Sequence, residues 1–201
     1  EAKYFLGEFY NNTGKQEKAE KIFNETLKQS KDLDNQSGMA MSLTGLGDVF
    51  SFRGEYENAI EKFNAALNIF EAIGNKSFAA GQYIGIGVSY HYMLDLNRAK
   101  ENYDKALAIK KEINDEYGIL HVSNAIAYQF ADTGDFQKGL DWHYETLKLG
   151  KKLEYPSGIA WAHTGLAHDK TGLGYYEESI THLQKALQIR ESINDKYGEV
   201  H

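Results

Sequence analysis

Residues Gly54–Leu67 read GEYENAIEKFNAAL, and the chain repeats this pattern at intervals of 40 residues. The glycine that opens the pattern returns as Gly14, Gly134 and Gly174, and Leu94 takes its place in the remaining copy. All five copies share one register without insertions. A fixed period of this kind is typical of arrays in which each unit buries its apolar face against its neighbours. The sequence therefore predicts a repeat protein.

Each period contains two segments with the spacing of an amphipathic helix. The first, exemplified by Ser37–Phe52, places apolar or small residues on one helical face. The second, exemplified by Tyr56–Ile73, separates its apolar positions with Glu and Lys. Gly54 lies between the two helices, where a residue without Cβ adopts positive φ, and Gly74 and Asn75 follow the second helix. The predicted unit is helix, turn, helix, turn, without strands.

Residues that recur in the same column of every period indicate how the helices pack. Two columns of small residues predict close approach of neighbouring backbones: Gly7, Gly47, Gly87, Ala127 and Ala167, and Ala19, Ala59, Ala99, Gly139 and Ser179. Two columns of large residues are expected to fill the core: Leu6, Leu46, Ile86, Ile126 and Leu166, and Leu27, Leu67, Leu107, Leu147 and Leu187. We interpret His143 as a packed core histidine because its column otherwise contains Phe23, Phe63, Tyr103 and Leu183.

The period also gives the expected domain organisation. We expect residues 1–201 to form a single array, with repeats at about 1–36, 37–76, 77–116, 117–156 and 157–196 and the start of a further repeat at 197–201. A free-standing array ends in a polar capping helix, and we find none at either end of the sequence. The chain is therefore expected to be a fragment of a longer protein, and its uncapped ends to favour end-to-end self-association.

Composition and charge exclude several classes of protein. At 42% hydrophobic and 25% charged residues, the chain has the composition of a soluble globular protein. It has neither an apolar run of about 18 residues nor a segment with the form of a signal peptide. The lack of cysteine excludes a disulfide framework and fits a reducing compartment, so a cytoplasmic location is expected. A net charge of −7 disfavours binding to nucleic acid or to an anionic membrane.

A known family shows the same pattern of columns. In the second repeat the pattern is carried by Leu43, Leu46, Gly47, Phe50, Gly54, Ala59, Phe63, Ala66 and Leu67, and it resembles that of the tetratricopeptide repeat family. The usual period of that family is about 34 residues. The longer unit of this chain is similar to the arrays of spindle-orientation adaptors and of bacterial signalling and regulatory proteins. The resemblance implies an all-α fold, a right-handed α-α superhelix of helix-turn-helix repeats whose first helices line a concave groove.

The resemblance also implies which residues line the groove. Carried over by column, they are Tyr4, Glu8, Asp48, Phe52, Val88, His91, Tyr92, His121, Asn124, Tyr128, Trp161, Thr164 and His168. None of them is Lys or Arg, whereas chaperone-binding members of the family clamp a carboxylate with Lys, Arg and Asn at such positions. Tyr and Trp are rigid anchors that combine apolar area with a polar tip. We therefore expect the groove to bind an apolar, aromatic or basic segment of a partner protein.

Catalytic and metal-binding constellations are not predicted. His163 and His168 are five residues apart, so they point to different sides of a helix. With no Gly-rich phosphate loop either, we expect no enzyme activity, no metal and no cofactor. Two functions stay open: a scaffold or adaptor that binds a peptide or helix of a partner, and a ligand-sensing regulatory domain of a multidomain kinase, cyclase or transcription factor. A third interpretation, a structural spacer, makes the groove dispensable.

Overall fold

The computed structural model describes residues 2–194, which form ten α-helices and no strand. Helix α1 has 11 residues and each of the others has 17. In chain order the helices are α1 (Ala2–Asn12), α2 (Gln16–Asp32), α3 (Gln36–Phe52), α4 (Tyr56–Ala72), α5 (Lys76–Tyr92), α6 (Leu96–Glu112), α7 (Glu116–Asp132), α8 (Phe136–Lys152), α9 (Pro156–Gly172) and α10 (Tyr176–Ser192). The predicted all-α architecture of helix-turn-helix units is confirmed. The segment 197–201, predicted to open a further repeat, lies outside the described residues.

Every pair of consecutive helices is joined by a link of three residues whose middle residue has a positive φ. The residue after it donates its backbone N–H to the carbonyl five positions earlier, as Asp95 does to Tyr90 at 2.9 Å. This bond closes a Schellman motif, which satisfies the free carbonyls at the end of a helix. The side chain at the same position caps the next helix in five of the links, those of Asn35, Asn75, Asp95, Asp115 and Asp135. One short link therefore ends one helix and starts the next.

The glycines of the links were predicted, but several other links have no glycine. Gly14, Gly54, Gly74, Gly134 and Gly174 have positive φ, and so do Asp34, Leu94, Asn114 and Glu154. Leu94 is the outlier, because it has a φ of 61° and 81% of its surface is exposed. The left-handed conformation costs a residue with a Cβ about 1–2 kcal/mol. The geometry of the link therefore overrides the preference of leucine for negative φ.

Substituting Leu94→Gly is expected to raise the free energy of unfolding of residues 1–201 by about 1 kcal/mol. The glycine removes the backbone strain, and its greater freedom in the unfolded chain offsets part of the gain. Urea unfolding followed by circular dichroism measures the change. As the matched control, Gly54→Leu places the same side chain in an equivalent link and should destabilise by a similar amount. A loss of stability in Leu94→Gly would contradict this assignment of strain.

Contacts between Cα atoms divide the chain into two compact units, Glu1–Ile109 (unit 1) and Lys110–His201 (unit 2). In unit 1, aromatic side chains of second helices pack against glycines of first helices. A Cβ built on Gly47 would lie 2.5 Å from the ring of Phe63, and one on Gly87 would lie 2.6 Å from the ring of Tyr103. The predicted close approach is therefore present: both glycines face aromatic rings, and a Cβ on Gly87 would also lie 3.3 Å from the backbone oxygen of Ala99, which belongs to the second small column.

Unit 2 has an apolar cluster of its own between α8 and α9, formed by Leu140, Leu147, Ala162 and Leu166. Of the predicted core columns, Leu46, Ile86, Ile126, Leu166, Leu67 and Leu147 are buried, and Leu27 and Leu107 are partly buried. Leu6 on α1 and Leu187 on α10 are 44% and 43% exposed, so their assignment to the core was wrong. Within the described residues, α1 contacts two helices whereas α3 contacts four, and α10 contacts α9 whereas α8 contacts both α7 and α9.

Candidate functional site

In unit 1 the predicted groove residues lie on three first helices that pack side by side, α1, α3 and α5. On each helix they are four residues apart and therefore share one helical face. We call this surface the unit 1 face; it consists of Tyr4, Glu8, Asp48, Phe52, Val88 and Tyr92. Helix α1 contributes the first two residues, α3 the next two and α5 the last two. The sequence period thus places these side chains in rows across neighbouring helices.

Two carboxylates of the unit 1 face influence each other. Burial, together with the negative charge of Glu8, raises the pKa of Asp48 to about 7. Burial and the charges of Glu8 and Asp48 also raise the pKa of the Tyr4 phenol. A carboxyl group with such a pKa is only partly ionised near neutral pH. This end of the face is therefore acidic, and part of its charge is titratable in the physiological range.

Exposed aromatic side chains occupy the next row of the unit 1 face. Phe52 and Tyr92 are 63% and 62% exposed, and the ring of Tyr92 stacks on that of Tyr56 at 5.4 Å. His91 differs from the prediction, because it is only 7% exposed and its ring lies 5.7 Å from that of Tyr92. One position corresponds to about 100° of rotation around a helix, which turns His91 toward the interior. Tyr92 is therefore the accessible residue of this pair.

Unit 2 brings together two pairs of the predicted residues. We call its surface the unit 2 face; it consists of His121, Asn124, Tyr128, Trp161, Thr164 and His168, on α7 and α9. The rings of His121 and Trp161 are 4.9 Å apart, and those of Tyr128 and His168 are 6.2 Å apart. Because α7 and α9 pack together, the two pairs lie along one surface. The structure therefore groups these aromatic side chains as the columns predicted.

Several neighbours of the unit 2 face were missed by the sequence analysis. The ring of Tyr155 lies 5.6 Å from that of Trp161 and 5.4 Å from that of Tyr117, and the ring of Phe136 lies 6.2 Å from that of His168. Tyr155 and Tyr117 belong to a link and to the first turn of a helix, outside the columns taken from the family. They extend the aromatic surface beyond the predicted residues.

Polar groups at the unit 2 face come from the first helices α7 and α9 and from the second helix α10. The Thr164 hydroxyl donates to the Ala160 carbonyl at 3.0 Å and accepts a hydrogen bond from Nη2 of Arg190 at 3.0 Å. Arg190 lies on α10, a second helix, so the columns of the first helices gave no sign of this cation. Oδ1 of Asn124 is buried and has no hydrogen-bond partner in the part of the chain that the structure describes. Burial and the charge of Lys110 lower the pKa of His121.

A buried polar pair lies beneath the unit 2 face. Nδ1 of His143 is 2.6 Å from Oδ2 of Asp169, and both side chains are 0% exposed. His143 is packed, as predicted, but its charged partner was not foreseen. A Cβ on Gly139 would lie 2.5 Å from Oδ1 of Asp169, and one on Gly165 would overlap the ring of His143. The two glycines provide the space that the pair requires.

A second histidine pair joins α9 and α10. Nδ1 of His163 and Nδ1 of His182 are 2.8 Å apart, so one ring donates a hydrogen bond to the other. Burial, aided by the positive charges of His182, Lys185 and Lys151, lowers the pKa of His163 to about 4. Burial and nearby lysines lower the pKa of His182 as well. The sequence analysis excluded a pair of His163 with His168 and did not consider His182.

Metal sites and membrane spans are both absent from the described part of the chain. Within residues 2–194, no group of three or more His, Asp or Glu side chains is arranged to hold a metal ion. Among the helices of that range, none has the length and apolar character needed to cross a bilayer.

Comparison with known proteins bears on the fold. A family model described as tetratricopeptide repeat matches residues 1–72. The solved structure of the apo form of RapI superimposes over 96% of this chain and 71% of its own, with a TM-score of 0.75 at 17% identity. Residues 1–72 match the tetratricopeptide repeat family, and the chain has the fold of such repeat arrays. The sequence matches none of the curated proteins with which it was compared.

Two further structures show the same arrangement of helices. BtubC (BKLC) from P. vanneervenii superimposes on this protein with a TM-score of 0.73 at 18% identity, over 94% of this chain and 78% of that chain. NprR in complex with its cognate peptide NprX has a TM-score of 0.67 at 13% identity, over 94% of this chain and 54% of that chain. At such low identity the likeness concerns the fold alone.

Proposed function

We propose that this protein is a non-enzymatic interaction module that binds a peptide segment of a partner protein with its first-helix faces. The observation that carries the proposal is the unit 2 face, where the His121 and Trp161 rings and the Tyr128 and His168 rings form two contacting pairs on adjacent helices. Aromatic anchors dominate the energetics of protein recognition. The unit 1 face adds the exposed rings of Phe52 and Tyr92. A structural neighbour, NprR, was solved with a peptide.

The residues proposed to contact the ligand are the predicted ones without His91. They are Tyr4, Glu8, Asp48, Phe52, Val88 and Tyr92 on the unit 1 face, and His121, Asn124, Tyr128, Trp161, Thr164 and His168 on the unit 2 face. We also propose that residues 1–201 form a single array with the repeat boundaries given above, in the cytoplasm.

Selection from a random dodecapeptide display library on the purified protein tests the proposal. The face variant carries Tyr128→Ala, Trp161→Ala and His168→Ala. The matched control carries Tyr144→Ala, Tyr176→Ala and Ile180→Ala, which remove exposed apolar side chains from second helices. Peptides enriched on the parent should bind the control equally and the face variant at least tenfold more weakly, with both variants folded by circular dichroism. Equal binding to the face variant would refute the proposed role of the unit 2 face.

The alternative is a regulatory domain, in which peptide binding shifts the activity of an attached output domain. It is based on one comparison: NprR was solved with its cognate peptide, and this chain spans 54% of that protein. Reading the coding sequence on both sides of residues 1–201 distinguishes the two functions. An adjoining catalytic or DNA-binding domain supports regulation, and further repeats alone support a scaffold.

A further inference from the structure

We propose that the unit 1 face binds a peptide segment of a partner protein that presents an Arg or Lys side chain to Glu8 and Asp48 and an apolar side chain to Phe52 and Tyr92. This inference rests on the proposed function, because it specifies the ligand chemistry of one part of the same surface. In this proposal the unit 1 face selects a basic residue that lies next to an apolar one.

The position of the two carboxylates is the first argument. Glu8 on α1 and Asp48 on α3 occupy the same column of consecutive repeats, and the two helices pack against each other. Both charges act on the Tyr4 phenol of α1, which places the three groups in one neighbourhood. Two close carboxylates repel each other, and a cation between them relieves that repulsion. A guanidinium group, with five donors, is suited to such a pair.

The absence of an internal cation on this surface is the second argument. In the described residues of α1, α3 and α5 the only basic side chains besides His91 are Lys3 and Lys76. Nζ of Lys3 donates to Oε1 of Gln29 on α2 at 3.2 Å, and Lys76 lies in the first turn of α5. Neither shares a column with the carboxylates. A partner therefore supplies the complementary charge.

The exposed rings are the third argument. Phe52 follows Asp48 by one helical turn, and Tyr92 occupies the equivalent position on α5. Both rings are more than half exposed, so they are accessible to an apolar side chain of a partner. The acidic row and the aromatic row are one turn apart, which is within reach of two neighbouring side chains of one peptide. Together the rows match a basic residue beside an apolar one.

A consequence of this arrangement is that binding depends on pH. Among the described residues, Glu8 on α1 is the charged group that acts on Asp48, and the Tyr4 phenol of the same helix is influenced by both carboxylates. Because the pKa of Asp48 is about 7, its carboxyl group is mostly neutral at pH 6 and mostly charged at pH 8. A basic peptide binds the charged form more tightly. Affinity for such a peptide should therefore rise by roughly tenfold between pH 6 and pH 8.

The test is the same display selection on residues 1–201, run in parallel on a variant with Glu8→Gln and Asp48→Asn. The matched control carries Glu25→Gln and Glu101→Gln, which make the same change of net charge at exposed positions of second helices. We expect the parent and the control to enrich peptides with Arg or Lys next to an apolar residue, and the variant to lose only the basic preference. For a selected peptide, citrulline in place of arginine should weaken binding by roughly tenfold, measured by fluorescence anisotropy.

Each other outcome overturns the inference. The inference is refuted if the peptides selected on the parent are not enriched in Arg or Lys, or if those selected on the variant are enriched equally. Either result leaves the proposed function intact. A selection that yields no specific peptide on any form of the protein refutes both. Sedimentation provides a further check: a parent dimer that dissociates in Phe52→Ser with Tyr92→Ser would show that a second copy covers these rings.

Discussion

Substituting Asp169→Ala is expected to lower the free energy of unfolding of unit 2 by about 3–5 kcal/mol. The carboxylate and His143 are both fully buried, 2.6 Å apart, so removing one partner leaves the other polar group without compensation. Nε2 of His143 already has no hydrogen-bond partner among residues 2–194. Losing the contact at Nδ1 leaves the whole imidazole unsatisfied in the interior.

The site of the His143–Asp169 pair should tolerate the replacement of both polar residues, together with Gly139, by apolar residues. In unit 1, the residues equivalent to Gly139, His143 and Asp169 in the first repeat and its neighbour are Ala19, Phe23 and Val49, which are buried together in one apolar cluster. The triple variant Gly139→Ala, His143→Phe and Asp169→Val recreates that cluster. Because replacing a buried ion pair by well-packed apolar residues is often neutral or stabilising, we expect it to be at least as stable as the parent.

Urea unfolding monitored by tryptophan fluorescence measures both effects, since Trp142 and Trp161 both lie in unit 2. Gly139→Ala alone serves as the control for packing, because its Cβ would lie 2.5 Å from Oδ1 of Asp169 and should destabilise only while Asp169 is present. A cost below about 1 kcal/mol for Asp169→Ala would show that the pair contributes little. An unfolded triple variant would mean that the fourth repeat requires its polar pair.

Acidification from pH 6.5 to pH 4 is expected to weaken the attachment of α10 to α9 by about 2–3 kcal/mol through His163 alone. The folded state holds the pKa of His163 near 4, below its ordinary value of 6.5, because the ring is buried against His182. The unfolded chain takes up the proton first as the pH falls. The contribution of the histidine is therefore fully present above pH 6.5 and is lost progressively toward pH 4.

The double variant His163→Gln with His182→Gln should show a smaller loss over this range, because neither amide titrates. Hydrogen exchange of α10 amides, with those of α4 as the internal reference, separates this local effect from general acid destabilisation. Lys185→Gln removes a positive charge that opposes protonation of both rings, so it should also reduce the loss. An identical pH dependence in the parent and the double variant would exclude this histidine pair as its source.

The repeat period is enough to predict much of this structure. The five-fold recurrence of small and large columns predicted ten amphipathic helices, and most of the predicted core is buried. Periodicity succeeds here because each helix repeats the same contacts with its neighbours. It fails where the context changes, as at Leu6 and Leu187 on the first and last described helices.

The histidines show a second limit of predicting contacts from the recurring columns of the repeat. His143 was assigned to the core by its column, but its partner Asp169 lies 26 residues away and in a different column. One indication of the pair was present in the sequence. Gly139 stands where the first three repeats have alanine, close to the columns that contain the unusual residues His143 and Asp169. His91 was predicted to be exposed on the groove surface, but it is buried. Adjacent residues of a helix point about 100° apart, and the family pattern does not determine which of two adjacent residues faces outward.

Because the links between helices all have a central residue with positive φ, helix geometry and the chemistry of the exposed first-helix surface are encoded at separate places in this chain. The geometry of each link is set by the positive-φ residue and the two residues beside it, and these links recur every 20 residues. Exposed first-helix residues such as Phe52 and Tyr92 take no part in those links. Evolution can therefore change the exposed surface of one repeat while the links that connect it to its neighbours stay unchanged.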